Sequence, residues 1–335
     1  MKTINLSNKT VLISRTDSIG DVILTLPICG WLKQKYPGIR LLFLGRKYTV
    51  DVLKCSPYID EILCYDDWED LSFDQQVSKL KDLDVFAFFH VFPKKQLAKL
   101  AKTAKIPYRI GTSHRLYHLL TCNVRPNFTR KNSDYHEAQL NFELFKQFGV
   151  SELPTREELT KFIGDFNSDL ALNNQLEELL AKGEGKRRVI LHPKSQGSAV
   201  EWPMEKYVEL AEQLTEKNYI IYFSGTEKEG QLFRAFLPEN KAIIDISGKS
   251  SLGEFITFIA KCDALVACST GPLHIAAVLG INAIGLYTDL RPMHPGRWAP
   301  IGSKSRALTA EKTGDAQLQD IQLISVEKVM QHLEE

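Results

Sequence analysis

Short apolar runs alternate with helical stretches twice along this chain, and that rhythm constrains its fold more than any other feature. In the first half, Thr10–Ser14 (TVLIS), Ile39–Leu44, Glu61–Tyr65, Asp84–Phe89 (DVFAFF) and Tyr108–Thr112 read as strands. Gly20–Tyr36, Tyr48–Cys55, Phe73–Lys81 and Lys94–Ala104 carry helical spacing between them, and Tyr135–Phe148 is a further helix that stops at Gly149. In the second half, Val189–His192, Tyr219–Phe223 (YIIYF), Ala242–Ile246, Ala264–Cys268 and Ala283–Tyr287 are the strands. Pro203–Lys217, Lys228–Phe236, Leu252–Cys262, Gly271–Leu279 and the tail Val326–Leu333 are the helices. Unbroken apolar runs, rather than alternating ones, mark strands covered on both faces, as in parallel sheets. The expectation is an α/β protein of two Rossmann-like, doubly wound domains facing across a cleft.

At 335 residues the chain suits two domains with separate cores. The polar stretch Ser151–Lys186 holds the boundary. The domains are expected over 1–165 and 185–320, with a C-terminal helix in 321–335 able to pack back on the first. Net charge is +1, so no nucleic acid is expected as a partner. The N-terminus lacks a signal-peptide pattern, and no apolar run approaches a membrane span. These features predict a cytoplasmic protein, with room for peripheral contact at the inner membrane surface. The six cysteines form no C-x-x-C pair and no zinc-like spacing, and read as reduced core residues.

Ligands of doubly wound sheets bind at the carboxyl ends of the strands, so the turns there carry the candidate chemistry. The first is Arg15-Thr16-Asp17-Ser18-Ile19-Gly20-Asp21. Gly20 permits close backbone approach, and on position alone Asp17 or Asp21 serves equally as a helix cap. The second is His192-Pro193-Lys194-Ser195-Gln196-Gly197-Ser198, a small-residue loop whose single Lys suits a diphosphate. The third is Ser269-Thr270-Gly271-Pro272-Leu273-His274, which has helix-start chemistry and so doubles as an anion site. Gly248-Lys249-Ser250 is not a P-loop, because Ile243 stands where the first glycine is required, and G-x-G-x-x-G is absent.

Together Arg15–Pro27 (RTDSIGDVILTLP), His192–Tyr207 (HPKSQGSAVEWPMEKY), Ser247–Leu252 (SGKSSL) and Ser269–Ala277 (STGPLHIAA) resemble the lipopolysaccharide heptosyltransferases, glycosyltransferase family 9. The resemblance implies a GT-B fold and metal-independent, inverting transfer with no cofactor. It implies a nucleotide-sugar donor, ADP-heptose first among them, and an anionic glycolipid acceptor of the Kdo-lipid A type. Carried over by position, Asp21 matches the family's proposed general base. Thr270 and Gly271 match residues on the donor diphosphate, and His274 the histidine of the same motif. Two positions depart from the family. Val200 stands where a phosphate-binding Lys precedes Trp-Pro, and Ser269 where an Asp contacts the sugar. Lys194 can supply the missing charge, and the changed Ser269 leaves the identity of the sugar open.

The donor is therefore expected on Lys194, Ser195, Ser198, Ser269, Thr270, Gly271 and His274, with Arg297 from the Arg291–Trp298 segment on the same rim. An anionic acceptor is expected on Arg15, Gly20, Arg109, His114 and Arg115. Three other readings remain: a GT-B enzyme of different donor or reaction, such as a sugar-nucleotide epimerase; a non-catalytic sugar-nucleotide-binding protein; and a nicotinamide oxidoreductase, disfavoured by the missing glycine fingerprint.

Overall fold

The computed structural model describes residues 3–131, 133–311 and 317–334; the outer ends of the expected domains, Met1 and Glu335, lie outside them. The chain divides into two compact units, Met1–Phe166 and Asn167–Glu335.

The first unit is built on β1 (Thr10–Ser14), β2 (Arg40–Gly45), β3 (Glu61–Cys64), β4 (Ala87–His90) and β5 (Tyr108–Ile110), all parallel in the order β3-β2-β1-β4-β5. Register sets Leu12 beside Leu42 and Phe88, and these buried residues anchor one core layer with Val77, Leu80, Leu97 and Leu100. On the other side Phe89 stacks on Phe145 at 3.9 Å between ring centroids, and Trp31 meets Phe142 and Phe145 edge-on. The single helix expected over Gly20–Tyr36 is two, Ile19–Ile23 and Leu26–Lys35. Pro27 explains the break: it has no N–H for the Ile23 carbonyl, and its ring clashes there. The Thr25 hydroxyl donates to the Asp21 carbonyl at 2.8 Å across the joint. The polar stretch after Ser151 also holds a helix, Arg156–Ile163, with a Thr155/Glu158 capping box. It lies so close to Leu26–Lys35 that a Cβ on Gly30 would sit 1.9 Å from the Phe162 carbonyl oxygen.

The second unit contains β6 (Arg187–His192), β7 (Tyr219–Phe223), β8 (Ile243–Asp245), β9 (Ala264–Cys268), β10 (Asn282–Leu286) and β11 (Ser305–Leu308). They are parallel in the order β11-β10-β9-β6-β7-β8. Counted from the first strand outward, this is the Rossmann order. The sequence reading lacked β11, whose Arg306 and Ala307 are exposed as befits an edge strand. The C-terminal helix Val326–Glu334, for which a return to the first domain was open, packs within the second unit against the helix Met204–Thr215 and β10. Its Val326, Val329, Met330 and Leu333 complete that unit's core, and Trp202 locks the preceding segment by donating its indole N–H to the Ile324 carbonyl at 3.1 Å.

Candidate functional site

Each sheet has one switch point, where the chain leaves a central strand in one direction and returns on the other side. In the first unit it lies between β1 and β4, and in the second between β6 and β9. The turns picked out from sequence follow β1, β6 and β9, so each unit carries candidate residues where its topology opens a crevice.

After β1 the chain forms a buried charge cluster around Arg15. Its Nε donates to Asp17 Oδ1 at 2.7 Å, one terminal nitrogen pairs with Asp21, and the other donates to Glu137 Oε1 at 3.3 Å and Asn141 Oδ1 at 3.4 Å. Glu137 is also paired with Arg130, which donates to Asn141 Oδ1 at 3.0 Å. Asn141 in turn donates to the Leu24 carbonyl at 3.1 Å, tying the helix Glu137–Phe142 to the joint after Asp21. Ser18 caps Ile19–Ile23 and its hydroxyl donates to Asp21 Oδ2 at 2.6 Å. Asp21 thus has one oxygen on a guanidinium and the other on a hydroxyl, which fixes its orientation. Gly20 is buried in the same turn.

Burial opposes the charge on Arg15, but Asp21, Asp17 and Glu137 outweigh it and hold the guanidinium more firmly protonated than usual. Burial pushes the Asp17 carboxyl up to about 6; Arg15 pulls it down and Asp21 adds to the rise. Glu137 and Arg130 were absent from the sequence reading. They lie 122 and 115 positions from Arg15, and no local pattern announces them.

The remaining acceptor candidates behave differently from one another. Arg109 is turned inward, donating from Nε to the Thr121 carbonyl at 2.7 Å and from a terminal nitrogen to the Ile106 carbonyl. It joins the end of β5 to the following helix. His114 and Arg115 are exposed just before that helix, Leu116–Thr121. The structure does not gather these three around Arg15 in any hydrogen bond or ion pair that it shows.

After β6, Gln196 and Gly197 take φ values of 51° and 80° and turn the Lys194–Ser198 loop back on itself. Glu201 closes the loop. It accepts from Lys194 Nζ at 3.0 Å, from the Ser195 N–H at 2.8 Å and from the Ser195 hydroxyl at 3.0 Å. The Ser198 hydroxyl donates to the Ser195 carbonyl at 2.7 Å. The expected donor residues here are thus engaged within the loop: Lys194, on a partly exposed side chain, is ion-paired with Glu201, and the Ser195 and Ser198 hydroxyls bond inside the turn. No local pattern marks Glu201, because its part depends on the loop folding back over six residues to meet it. His192, at the end of β6, is buried against the Ser224 hydroxyl at 2.9 Å, and burial holds its ring toward the neutral form.

After β9, Ser269 and Thr270 lead into the helix Gly271–Val278, with Pro272 in its first turn. Thr270 sits at the cap position with extended backbone, yet its side chain makes no capping bond. Its hydroxyl oxygen is buried and has no hydrogen-bond partner among the described residues. A buried hydroxyl left unpaired costs about 1–3 kcal/mol, so its position calls for an explanation. His274 is buried one turn later. Because β6 and β9 are adjacent, with His192 beside Ala267, the loops after them share one edge. Arg297 follows β10, the next strand outward, in the short helix Pro295–Trp298, where its guanidinium lies 4.8 Å from the Trp298 ring centre. Ser247–Leu252 has a structural part: Ser251 and Glu254 form the capping box of Leu252–Ala260.

Two Rossmann units in one chain, each with a polar turn at its switch point, have the architecture of the GT-B glycosyltransferases. The family follows from comparison. The model of glycosyltransferase family 9 (heptosyltransferase) matches residues 96–323, and this chain belongs to that family. A provisionally named glycosyltransferase of Haemophilus influenzae is 26% identical over 329 residues, covering 96% of this chain and 94% of the relative. Among solved structures, a family 9 glycosyl transferase from Veillonella parvula superposes with a TM-score of 0.79 at 18% identity, covering 99% and 98% of the two chains. The Escherichia coli ADP-heptose lipopolysaccharide heptosyltransferase II gives 0.74 at 19%, covering 97% of each. These structures share the fold. Among the described residues, no helix is long and apolar enough to cross a membrane.

Proposed function

We propose that this glycosyltransferase moves a heptose from ADP-heptose onto an anionic lipopolysaccharide inner-core acceptor, with inversion and without a metal. The observation that carries the donor half is the buried, unpartnered Thr270 hydroxyl at the start of Gly271–Val278. A diphosphate oxygen there would accept from that hydroxyl and from first-turn N–H groups, and Lys194 on the adjacent loop would add charge. Ser269 and His274 then flank the sugar-diphosphate, and Arg297 the same rim. Donors set in advance at this place stabilise the charge that grows on the leaving nucleotide diphosphate.

The base is Asp21. The acceptor hydroxyl oxygen bonds to the anomeric carbon as the bond from that carbon to the diphosphate breaks, and Asp21 takes the hydroxyl proton. Arg15 and Ser18 orient its carboxylate, a geometry that supports the role. The relatives' names support the substrate: the family is that of the heptosyltransferases, and the Escherichia coli neighbour is an ADP-heptose enzyme. Exposed His114 and Arg115 are offered to the anionic acceptor; Arg15 and Gly20, expected there from sequence, are buried in the turn and act by holding Asp21, and the inward bonds of Arg109 argue for a supporting part.

Thermal unfolding with ADP-, GDP-, UDP- and dTDP-linked sugars and the bare nucleotides tests the donor. At about 100 times Kd a ligand adds roughly 2.7 kcal/mol. A selective shift with the ADP compounds is expected. A selective shift with another nucleotide would reassign the donor, and no shift at all would remove the donor site from this place.

A further inference from the structure

The helix Leu116–Thr121 exposes three leucines on one face. Leu116, Leu119 and Leu120 stand at i, i+3 and i+4 and are 83%, 54% and 73% exposed. The opposite side is anchored by buried His118, whose Nδ1 lies 2.9 Å from the Thr112 carbonyl. The leucines are therefore held outward by the fold. A monomeric surface rarely carries such a cluster without a partner for it.

The charge around it is one-sided. From Val85 to Ser133 the chain has ten Lys and Arg and no Asp or Glu, although the whole protein is balanced at +1. The helix Lys95–Thr103 packs against the leucine-bearing helix. It buries Leu97, Ala98, Leu100 and Ala101 and exposes Lys95, Lys99 and Lys102. His114 and Arg115, immediately before Leu116, are exposed as well.

We propose that this face, the exposed leucines of Leu116–Thr121 with the lysines of Lys95–Thr103, docks the protein on an anionic phospholipid bilayer. Leucines enter the boundary between headgroups and acyl chains, while lysines stay among the headgroup phosphates. A second copy of the chain is the wrong occupant, because a symmetric contact would bring these cations against each other. Nucleic acid would use the lysines but would leave the leucines in water. The proposal stands on the surface of the first unit and does not depend on which sugar is transferred.

Sedimentation with vesicles tests it, using mixed phosphatidylethanolamine–phosphatidylglycerol vesicles against phosphatidylcholine vesicles. The full chain is expected to pellet with the anionic vesicles and to be released as salt rises to about 0.5 M. L116S/L119S/L120S should weaken partitioning at least about tenfold. K95Q/K99Q/K102Q should weaken it by about ten- to a hundredfold and flatten the salt dependence. These side chains are exposed, so both variants should melt close to the parent, which separates lost docking from lost folding. Equal retention on phosphatidylcholine, no retention on either vesicle, or parent-like retention of the leucine variant overturns the proposal. Binding of a short RNA in place of vesicles, or a leucine-dependent dimer in solution, overturns it too.

Discussion

Replacing Arg15 by Met removes the cation from a buried cluster and leaves its anions in place. Arg15 is the shared partner of Asp17, Asp21 and Glu137, and its own side chain is almost wholly buried. Removing one member of a buried pair costs about 3–5 kcal/mol, because the other charge stays uncompensated. Two features trim that cost here. Asp17 and Asp21 are partly open to solvent, at 21% and 16% of the side chain, and Glu137 keeps Arg130. A loss of about 3 kcal/mol results for the unit Met1–Phe166. For a unit of this size that is about 6–12 °C in Tm. The loss should depend on pH. Asp17, held at about 6 in the parent, is raised above its unfolded value, so its contribution is full below about 4 and fades as pH rises through about 6. Without Arg15 the carboxyl moves higher still. The deficit of R15M should then be greatest above pH 7 and shrink on acidification. Thermal unfolding followed by circular dichroism at about pH 8 and about pH 5.5, on either side of the Asp17 value, reads both effects. R15K should fall between, since an ammonium lacks the fork that spans three carboxylates. If R15M melts within about 2 °C of the parent at both pH values, the cluster does not hold the turn together.

Thr270 and Asp17 give two further tests. T270V keeps the shape and removes a buried unpaired hydroxyl, so the protein should be as stable as the parent or slightly more so. Donor affinity by calorimetry should nevertheless fall about ten- to a hundredfold, the scale of a lost charge-assisted hydrogen bond. Lower stability with unchanged affinity would make the hydroxyl structural. D17N should remove a pH inflection from turnover. In the parent, Asp17 ionises as pH passes about 6, which changes the charge in the turn that holds the base. Turnover should change through that range in the parent and stay flat in D17N; an inflection that persists would assign it to another group.

How much was legible in the sequence depended on whether a feature is local. The strands TVLIS, YIIYF and ALVAC stand out because both faces are covered, and all three lie at the centres of their sheets or next to them. SRAL, which forms β11, was missed because it is an edge strand with one paired neighbour and two exposed residues. The Pro27 break was readable in principle, but apolar spacing carried through it and made two helices look like one. The turns Arg15–Asp21, Lys194–Ser198 and Ser269–His274 were found because sheet topology places such turns at the carboxyl edge. What surrounds them was not. Glu137 and Asn141 reach Arg15 from more than a hundred residues away, Arg130 joins them through Glu137 and Asn141, and Arg109 spends its donors on carbonyls that only the fold brings near.

The central claim is a division of labour: the second unit holds the donor, and Asp21 of the first takes the proton. Donor affinity and turnover of D21A, measured side by side with ADP-heptose and an inner-core acceptor, test it most directly. The account predicts turnover lower by about 10²–10⁴ with donor Kd nearly unchanged. Full turnover in D21A would remove Asp21 from the reaction, and a lost donor affinity would place it in the donor site instead.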